Sequence, residues 1–274
     1  MKFLIFGDLL GKKNIVKKLS QQNLRRYDFL IYTGDIPDPS VFKHLREVKV
    51  QKGINENTDI EKELIKDTMP YNALKKATKE VEDIVNILLQ LKKPIYGVLG
   101  NADLKYYSQF VSWPFILLHN KIETINDYHL IGYNGRPLYI FEESNDNENA
   151  FSEIQVQKDL DRLFQQVDPR KTILITHAPP FGLLDKVKKE MRQYAIGTYG
   201  NKAKNGNLGS LGILRVIEKY KPLLHIFGHI HENEGIIKNE TTFINTGSTG
   251  ETNRIYIISI DKLEISISTS SLKP

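Results

Sequence analysis

Six side chains that can bind a metal ion stand directly after five short apolar runs of this sequence. They are two aspartates, one asparagine and three histidines, namely Asp8, Asp35, Asn101, His177, His229 and His231. With oxygen and imidazole but no sulfur, this set suits manganese, iron, zinc or cobalt better than calcium or copper. Two metals about 3.5–4 Å apart, bridged by an aspartate, can hold a phosphoryl group and supply hydroxide to attack it. The residue types therefore allow a two-metal site that could act on a phosphoryl group.

Each of these residues is weak evidence by itself, and their joint placement carries the prediction. A single histidine after a strand is more often packed in a core than bound to metal. His229 and His231 are stronger evidence, because residues two apart point to the same side of a strand. Five runs that all end in metal-binding side chains favour a shared site over five coincidences.

The apolar runs are rich in β-branched and aromatic residues, which is typical of buried strands. They cover Lys2–Phe6, Asp28–Tyr32, Ile95–Leu99, Lys171–Thr176 and Leu223–Phe227. In open α/β sheets, ligands bind beyond the carboxyl ends of the strands. If these strands are neighbours, the six side chains converge at one rim.

Helices are predicted between several of the strands. Apolar residues recurring every three or four positions predict a helix over 73–91, with Asn72 as its cap. Ser152 begins a capping box for a helix through Val167, and Ser210 can cap a further helix.

Later in the chain, turn signals predict hairpins. Asn126-Asp127, Asn239-Glu240 and Asp261-Lys262 each separate two short apolar runs. Strand–helix alternation followed by hairpins indicates an α/β core with a second, more antiparallel sheet.

Composition limits the class of protein. The chain has 274 residues, of which 40% are hydrophobic and 26% charged, as in an ordinary globular protein. Its length allows one large domain or two small ones, of which we expect one domain over 1–274. The absence of cysteine excludes disulfide frameworks, thiol catalysis and iron–sulfur clusters. No apolar run approaches the roughly 18 residues of a membrane span, and Asp8 interrupts the first run too early for a signal peptide. We therefore expect a cytoplasmic protein with no membrane partner.

Basic residues exceed acidic ones by five. This excess favours anionic substrates by electrostatic steering. It falls short of the strong bias of a dedicated nucleic-acid-binding protein, so nucleic acid is an open but disfavoured partner.

The motifs, taken in order, resemble those of the calcineurin-like metallophosphoesterases. That family carries D-x-H, G-D-x-x-D/G, G-N-H-D/E, a lone H and G-H-x-H. The matching segments here are Asp8-Leu9-Leu10, Gly34-Asp35-Ile36-Pro37-Asp38, Gly100-Asn101-Ala102-Asp103, His177 and Gly228-His229-Ile230-His231. The resemblance runs from residue 3 to about residue 250. It implies an α/β fold in which two β-sheets pack as a sandwich between flanking helices, in four layers ordered α/β/β/α.

Carried over residue by residue, the resemblance implies a site for one or two divalent ions and a phosphate-ester substrate. The implied ligands are Asp8 and His231 for one ion and Asn101, His177 and His229 for the other, with Asp35 bridging them. In the family, the residue matching Asp103 orients the histidine of the third motif. The implied catalytic residues are therefore Asp35, Asn101 and Asp103.

Two departures from the family pattern weaken this implied site. The histidine of the first motif is Leu10 here, and leucine cannot bind metal, so the ion at Asp8 should bind less tightly. The histidine of the third motif is Ala102, and losing such a general acid costs about 10²–10⁴ in rate when the leaving group is poor. We expect a metal-dependent phosphoesterase for monoesters or diesters with an atypical or weakened site. The alternative is a catalytically retired member that serves as a binding or interaction protein.

Two other segments have candidate roles. A helical insertion at about 40–92 is a candidate cap over the site or contact in a homo-oligomer, and its plainer interpretation is a surface elaboration. Residues 186–206 combine six basic side chains with Tyr194 and Tyr199, which suits an anionic substrate or a stacked nucleobase. Their plainer interpretation is a solvated loop. This segment motivates a third hypothesis, a nuclease, which the modest net charge disfavours.

Overall fold

Two six-stranded β-sheets form the centre of the computed structural model, which describes residues 1–38, 69–138 and 149–273. The strands of the first sheet, in spatial order, are β14 (Glu264–Ser271), β13 (Arg254–Asp261), β1 (Lys2–Phe6), β2 (Phe29–Tyr32), β3 (Ile95–Gly97) and β4 (Ile116–Leu117). Strands β1 to β4 are parallel, and β13 and β14 extend the sheet in antiparallel pairs beside β1.

The second sheet has the same balance of directions. Its spatial order is β11 (Gly235–Lys238), β12 (Thr242–Asn245), β10 (Leu224–Phe227), β9 (Thr172–Thr176), β6 (Tyr128–Tyr133) and β5 (Lys121–Ile125). The four inner strands are parallel and the two edge strands antiparallel. A short parallel pair, β7 (Arg136–Pro137) with β8 (Ala150–Phe151), lies apart from both sheets.

Helices cover both outer faces of this pair of sheets. The helices of the described residues are α1 (Lys13–Ser20), α2 (Met69–Leu89), α3 (Glu153–Phe164), α4 (Arg192–Tyr199), α5 (Leu211–Tyr220) and α6 (Thr249–Thr252). Helices α1 and α2 share a buried apolar cluster with the first sheet, and α3 and α5 share another with the second. The four-layer α/β/β/α prediction is confirmed. Among the described residues, no helix is both long and apolar enough to cross a membrane.

Period-two alternation in β1 explains the layering. Phe3 and Ile5 belong to the apolar cluster between the sheets. Leu4 and Phe6 belong to the cluster beneath α1 and α2. Because neighbouring side chains of a strand point to opposite faces, a fully apolar strand is buried on both sides.

The expectation of a second, more antiparallel sheet is wrong. All three predicted hairpin turns join paired antiparallel strands, yet the turns lie only at sheet edges. Between β6 and β9 the chain passes through α3, and between β9 and β10 through α5. Such helical crossovers produce parallel pairs, which the turn signals do not reveal.

Capping residues were predicted correctly at two helices and wrongly at one. The Ser152 side chain accepts a hydrogen bond from Gln155 N, and that of Ser210 accepts one from Ile213 N. Helix α2 begins at Met69, so Asn72 is inside it and is not the cap. Helix α3 ends at Phe164, three residues before the predicted end.

The predicted insertion is described only in part, since residues 39–68 lie outside the described residues. Its described part, α2, buries Leu74, Val81 and Ile84 in the cluster that covers the first sheet. This part of the segment is therefore a layer of the fold.

Candidate metal centre

The six candidate ligands lie at one rim, beyond the carboxyl ends of parallel strands from both sheets. Asp8 follows β1, Asp35 follows β2, Asn101 follows β3, His177 follows β9, and His229 and His231 follow β10. A hydrogen bond of 2.8 Å between His177 Nδ1 and Thr33 O joins the rims of the two sheets. The sandwich therefore brings together residues that are far apart in the sequence.

We name four of these candidate ligands the four-ligand half-site: Asp35, Asn101, His177 and His229. One ligand atom from each of Asp35, His177 and His229 lies within 4.8 Å of the others. His177 Nε2 is 3.1 Å from Asn101 Oδ1 and 3.4 Å from Asp35 Oδ2. Ligands on bonds of about 2.1 Å in a tetrahedral shell are roughly 3.4 Å apart, so these atoms suit a transition-metal ion.

The other two residues, Asp8 and His231, form the Asp8 half-site. Asp8 Oδ1 lies 2.8 Å from His231 Nε2, and His229 N donates to the same oxygen at 3.3 Å. On the far side of the imidazole, His231 Nδ1 is 3.4 Å from Glu251 Oε2. A carboxylate behind the ring is the usual partner that orients a metal-binding histidine.

The backbone at this rim adopts left-handed conformations that are rare for side-chain-bearing residues. Asp8, Leu10, Asp35 and His229 have φ of +47°, +52°, +60° and +67°. Gly34 has φ of +110°, and a Cβ there would lie 2.5 Å from His177 Nδ1, so glycine is required at this crossing. Such strain costs of order 1–3 kcal/mol per residue and clusters at functional sites.

The charged groups of the four-ligand half-site shift one another's pKa values. Burial would raise the pKa of Asp35, but the charge and hydrogen bond of His177, with Ala102 N–H, lower it to about 2. Burial would lower the pKa of His177, but Asp35 raises it to about 9. Burial, with the charges of His177 and Arg136, lowers the pKa of His229 well below its usual value. Protonated His177 therefore balances the negative charge of Asp35. A bound metal cation would take over this role and displace the proton.

The Asp8 half-site holds a similar ion pair. Burial raises the pKa of Asp8, against the opposing hydrogen bond and charge of His231. Burial would lower the pKa of His231, but the hydrogen bond and charge of Asp8, with Glu251, raise it to about 9. Its donors, one carboxylate and one imidazole, are again those of a divalent transition metal.

Asp103 lies beneath the site and ties two of its loops together. Its oxygens accept from the backbone N–H groups of Asp35, Ile36 and Gly100, each at 2.8 Å, and from Tyr32 Oη at 3.2 Å. Burial and the nearby charge of Asp35 raise the pKa of Asp103 to about 7. These contacts suit a positioning role, and the catalytic role of Asp103 stays a prediction.

Buried apolar side chains stand at the two positions where the family pattern has histidine. Leu10 and Ala102 are 8% and 1% exposed. Ala102 still contributes through its backbone, because its N–H donates to Asp35 Oδ1 at 2.7 Å. The other oxygen of Asp35 is the one that lies near His177.

Three residues near the site were not found by sequence reasoning. Asn149 Nδ2 donates to Gly100 O and Asp103 O, both at 2.9 Å. Arg136 is buried in β7 and acts electrostatically on His229. Glu251 had a detectable signal, because it stands three residues after Ser248 in an S-x-x-E capping pattern.

Comparisons with known sequences identify relatives of this chain. Residues 1–233 match the family described as calcineurin-like phosphoesterase. A UPF0046 protein of Caenorhabditis elegans is 36% identical over 84 residues, which is 30% of this chain and 23% of that protein. Metallophosphoesterase domain-containing protein 1 of Homo sapiens is 37% identical over 75 residues, 27% of this chain and 19% of that protein. The matched stretches span less than a quarter of either relative.

Solved structures share the fold over nearly the full chain. One crystal structure has a TM-score of 0.72 at 16% identity, with 99% of each chain covered. A protein of Thermus thermophilus named TT1561 has a TM-score of 0.58 at 12% identity, again with 99% of each chain covered. At these identities the likeness concerns the fold alone.

Proposed function

Because this chain belongs to the calcineurin-like phosphoesterase family, we propose that it is a metal-dependent phosphoesterase acting on phosphomonoesters or phosphodiesters. The observation that carries the proposal is the approach of Asp35, His177 and His229 ligand atoms to within 4.8 Å of one another. These residues reach the same point from three strands of two sheets.

The donor set fits one or two ions of manganese, iron, zinc or cobalt. Asp35 and the other candidate ligands of the two half-sites would hold these ions. When bound, such ions neutralise phosphoryl charge and lower the pKa of the attacking water.

The chain's own contacts orient the donors for this role. Ala102 N–H holds Asp35 Oδ1, which leaves Oδ2 on the side of His177. The Thr33 carbonyl lies 2.8 Å from His177 Nδ1, which leaves Nε2 for an ion. Fixing the far nitrogen of the ring in this way selects the tautomer that binds metal.

The proposed site lacks a proton donor at residue 102, and this sets the expected substrates. With alanine there, the leaving oxygen departs without help from that position. We therefore expect rates to fall steeply as the pKa of the leaving group rises, over a range of about 10²–10⁴. A rate independent of leaving-group pKa would contradict this part of the proposal.

The test combines metal content with hydrolysis of p-nitrophenyl phosphate and bis(p-nitrophenyl) phosphate in added Mn²⁺. We expect bound metal and turnover in the parent chain, and loss of both in His177→Ala. His129→Ala is the matched control, because His129 lies at the end of β6 that is farther from the candidate ligands and its ring contacts Thr124 Oγ1. Metal binding without turnover would favour the retired binding protein, and no metal binding would refute the site.

Other expectations remain proposals. We keep a cytoplasmic location, a single domain over 1–274 with a helical insertion at about 40–92, and homo-oligomerisation through that insertion. Size-exclusion chromatography with light scattering, comparing the parent with a chain altered in the exposed part of α2, tests the last of these.

A further inference from the structure

Two segments of this chain carry a strong excess of basic residues, namely residues 9–27 and residues 186–204. Residues 186–204, here named the basic segment, carry six lysines and arginines and one acidic residue. Its excess of five is close to the excess of six in residues 9–27, but the basic segment also contacts the loop that carries His229 and His231. All six basic side chains are exposed: Lys186, Lys188, Lys189, Arg192, Lys202 and Lys204.

The basic segment is packed against the loop that carries two candidate ligands. A small buried cluster joins it to Ile230, the residue between His229 and His231. The other buried members of that cluster are Val187, Ala195, Ala203 and Leu208. The segment also contains α4, so the interpretation as a solvated loop does not describe its backbone.

Hydrogen bonds to the same loop fix the start of the segment. Lys186 N–H donates to Asn233 Oδ1 at 2.9 Å, and Lys188 N–H donates to Glu232 Oε1 at 3.2 Å. Just before the segment, the buried Asp185 carboxylate accepts from two further backbone N–H groups. These contacts use the lysine backbones, and the two lysine side chains are exposed next to the loop that carries His229 and His231.

The aromatic residue described in the segment is used for packing. The Tyr199 ring lies against Phe181, with centroids 5.0 Å apart at 73°, and its hydroxyl donates to Glu153 at 2.6 Å. The Tyr194 side chain lies outside the described residues. The described part of the segment therefore offers charge and no aromatic ring for stacking a base.

We propose that the basic segment binds phosphate groups neighbouring the one that is cleaved, so that the substrate carries several phosphates. A single-stranded nucleic acid and a small polyphosphate share this chemistry. Clustered exposed cations attract such anions and release their counterions on binding, which makes the affinity salt-dependent. That the bound anion is a substrate rests on the proposed phosphoesterase function, whereas binding of the anion by the basic segment does not.

Fluorescence anisotropy of a labelled short oligothymidylate tests the proposal. The buffer contains EDTA, so that binding is measured without metal in the centre. The rim variant Lys186→Gln/Lys188→Gln is compared with Lys2→Gln/Lys238→Gln, which removes the same charge from exposed lysines at the opposite ends of the sheets. Inorganic tripolyphosphate serves as competitor.

We expect the rim variant to bind roughly tenfold more weakly and its log–log salt slope to be shallower by about 1.4, from two lost phosphate contacts. The control should bind within about twofold of the parent. Displacement by tripolyphosphate at matched phosphate concentration identifies a small polyphosphate, and displacement only by oligonucleotide identifies a strand. Equal weakening in both variants, or no binding at low salt, would overturn the proposal. Failure of ester hydrolysis with this difference intact would refute only the proposed function.

Discussion

The two half-sites of the candidate metal centre are built at the same rim yet differ in completeness. The four-ligand half-site brings Asp35, His177 and His229 ligand atoms within 4.8 Å of one another. The Asp8 half-site pairs Asp8 with His231, and Leu10 stands where the family pattern has a further histidine. The comparison teaches that strand-end geometry can persist while the number of ligands falls, so we expect two ions held with unequal strength.

Burial also predicts tighter binding at the four-ligand half-site than at the Asp8 half-site. The His177 side chain is fully buried, whereas that of His231 is 22% exposed. Donors that are already desolvated and fixed lose less freedom when an ion binds. His231 instead depends on Glu251 to hold its ring.

The largest expected effect comes from replacing Asp35, which belongs to the four-ligand half-site and also acts electrostatically on Asp8. Asp35→Asn should lower phosphoesterase activity by more than about 100-fold, since even outer partners of metal ligands contribute 10–100-fold. Asp8→Asn should lower it less. Steady-state rates on p-nitrophenyl phosphate over a range of Mn²⁺ concentrations distinguish the variants. Equal losses of activity in Asp35→Asn and Asp8→Asn would contradict the expected difference between the two half-sites.

A histidine at residue 10 should repair the weaker half-site. The φ of Leu10 is +52°, a conformation that histidine adopts more readily than leucine. Leu10→His should tighten the weaker ion by about tenfold or more, by adding a ligand nitrogen. The control Leu10→Ala removes the leucine without adding a ligand. Equal metal affinity in the two variants would show that residue 10 does not face the ion.

Removing the charge of Glu251 should weaken only the Asp8 half-site. Glu251→Gln keeps the size of the side chain but loses the carboxylate that lies 3.4 Å from His231 Nδ1. We expect about tenfold weaker binding of the ion at the Asp8 half-site and unchanged binding of the ion at the four-ligand half-site. Glu264→Gln, at an exposed position where β14 begins, is the matched control. A change in the tighter ion instead would assign Glu251 to the other half-site.

Replacing His225 should have no effect on metal binding. This buried histidine lies in β10, four residues before His229. Burial lowers the pKa of His225 to about 3 in the folded chain, whereas its ordinary value is 6.5. Between these two pH values the unfolded chain binds a proton at His225 and the folded chain does not. Stability should therefore fall as pH drops through 6.5, by about 2 kcal/mol between about pH 7 and pH 5. His225→Gln should remove this part of the pH dependence of urea unfolding, and an unchanged dependence would contradict it.

The end of β1 could be predicted from the sequence because Gly7-Asp8 directly follows its apolar run. The signal is less exact at β3, which ends at Gly97, two residues before the predicted Leu99. The sandwich and its four layers followed from the resemblance. Which ligands share an ion was implied by the family, and the structure adds the distances.

The supporting contacts could not be predicted, because they join segments that are distant in the sequence. Asp103 accepts from backbone N–H groups of Asp35 and Ile36, which lie 68 and 67 residues away. Asn149 bonds Gly100 across 49 residues. A backbone N–H carries no residue type, so no pattern in the sequence marks these partners.

Calorimetric titration of the metal-free protein with Mn²⁺ tests the central comparison most directly. We expect two unequal sites, of which the tighter is lost in His229→Ala and the weaker in His231→Ala. Two sites of equal affinity, or loss of the tighter site in His231→Ala, would contradict it.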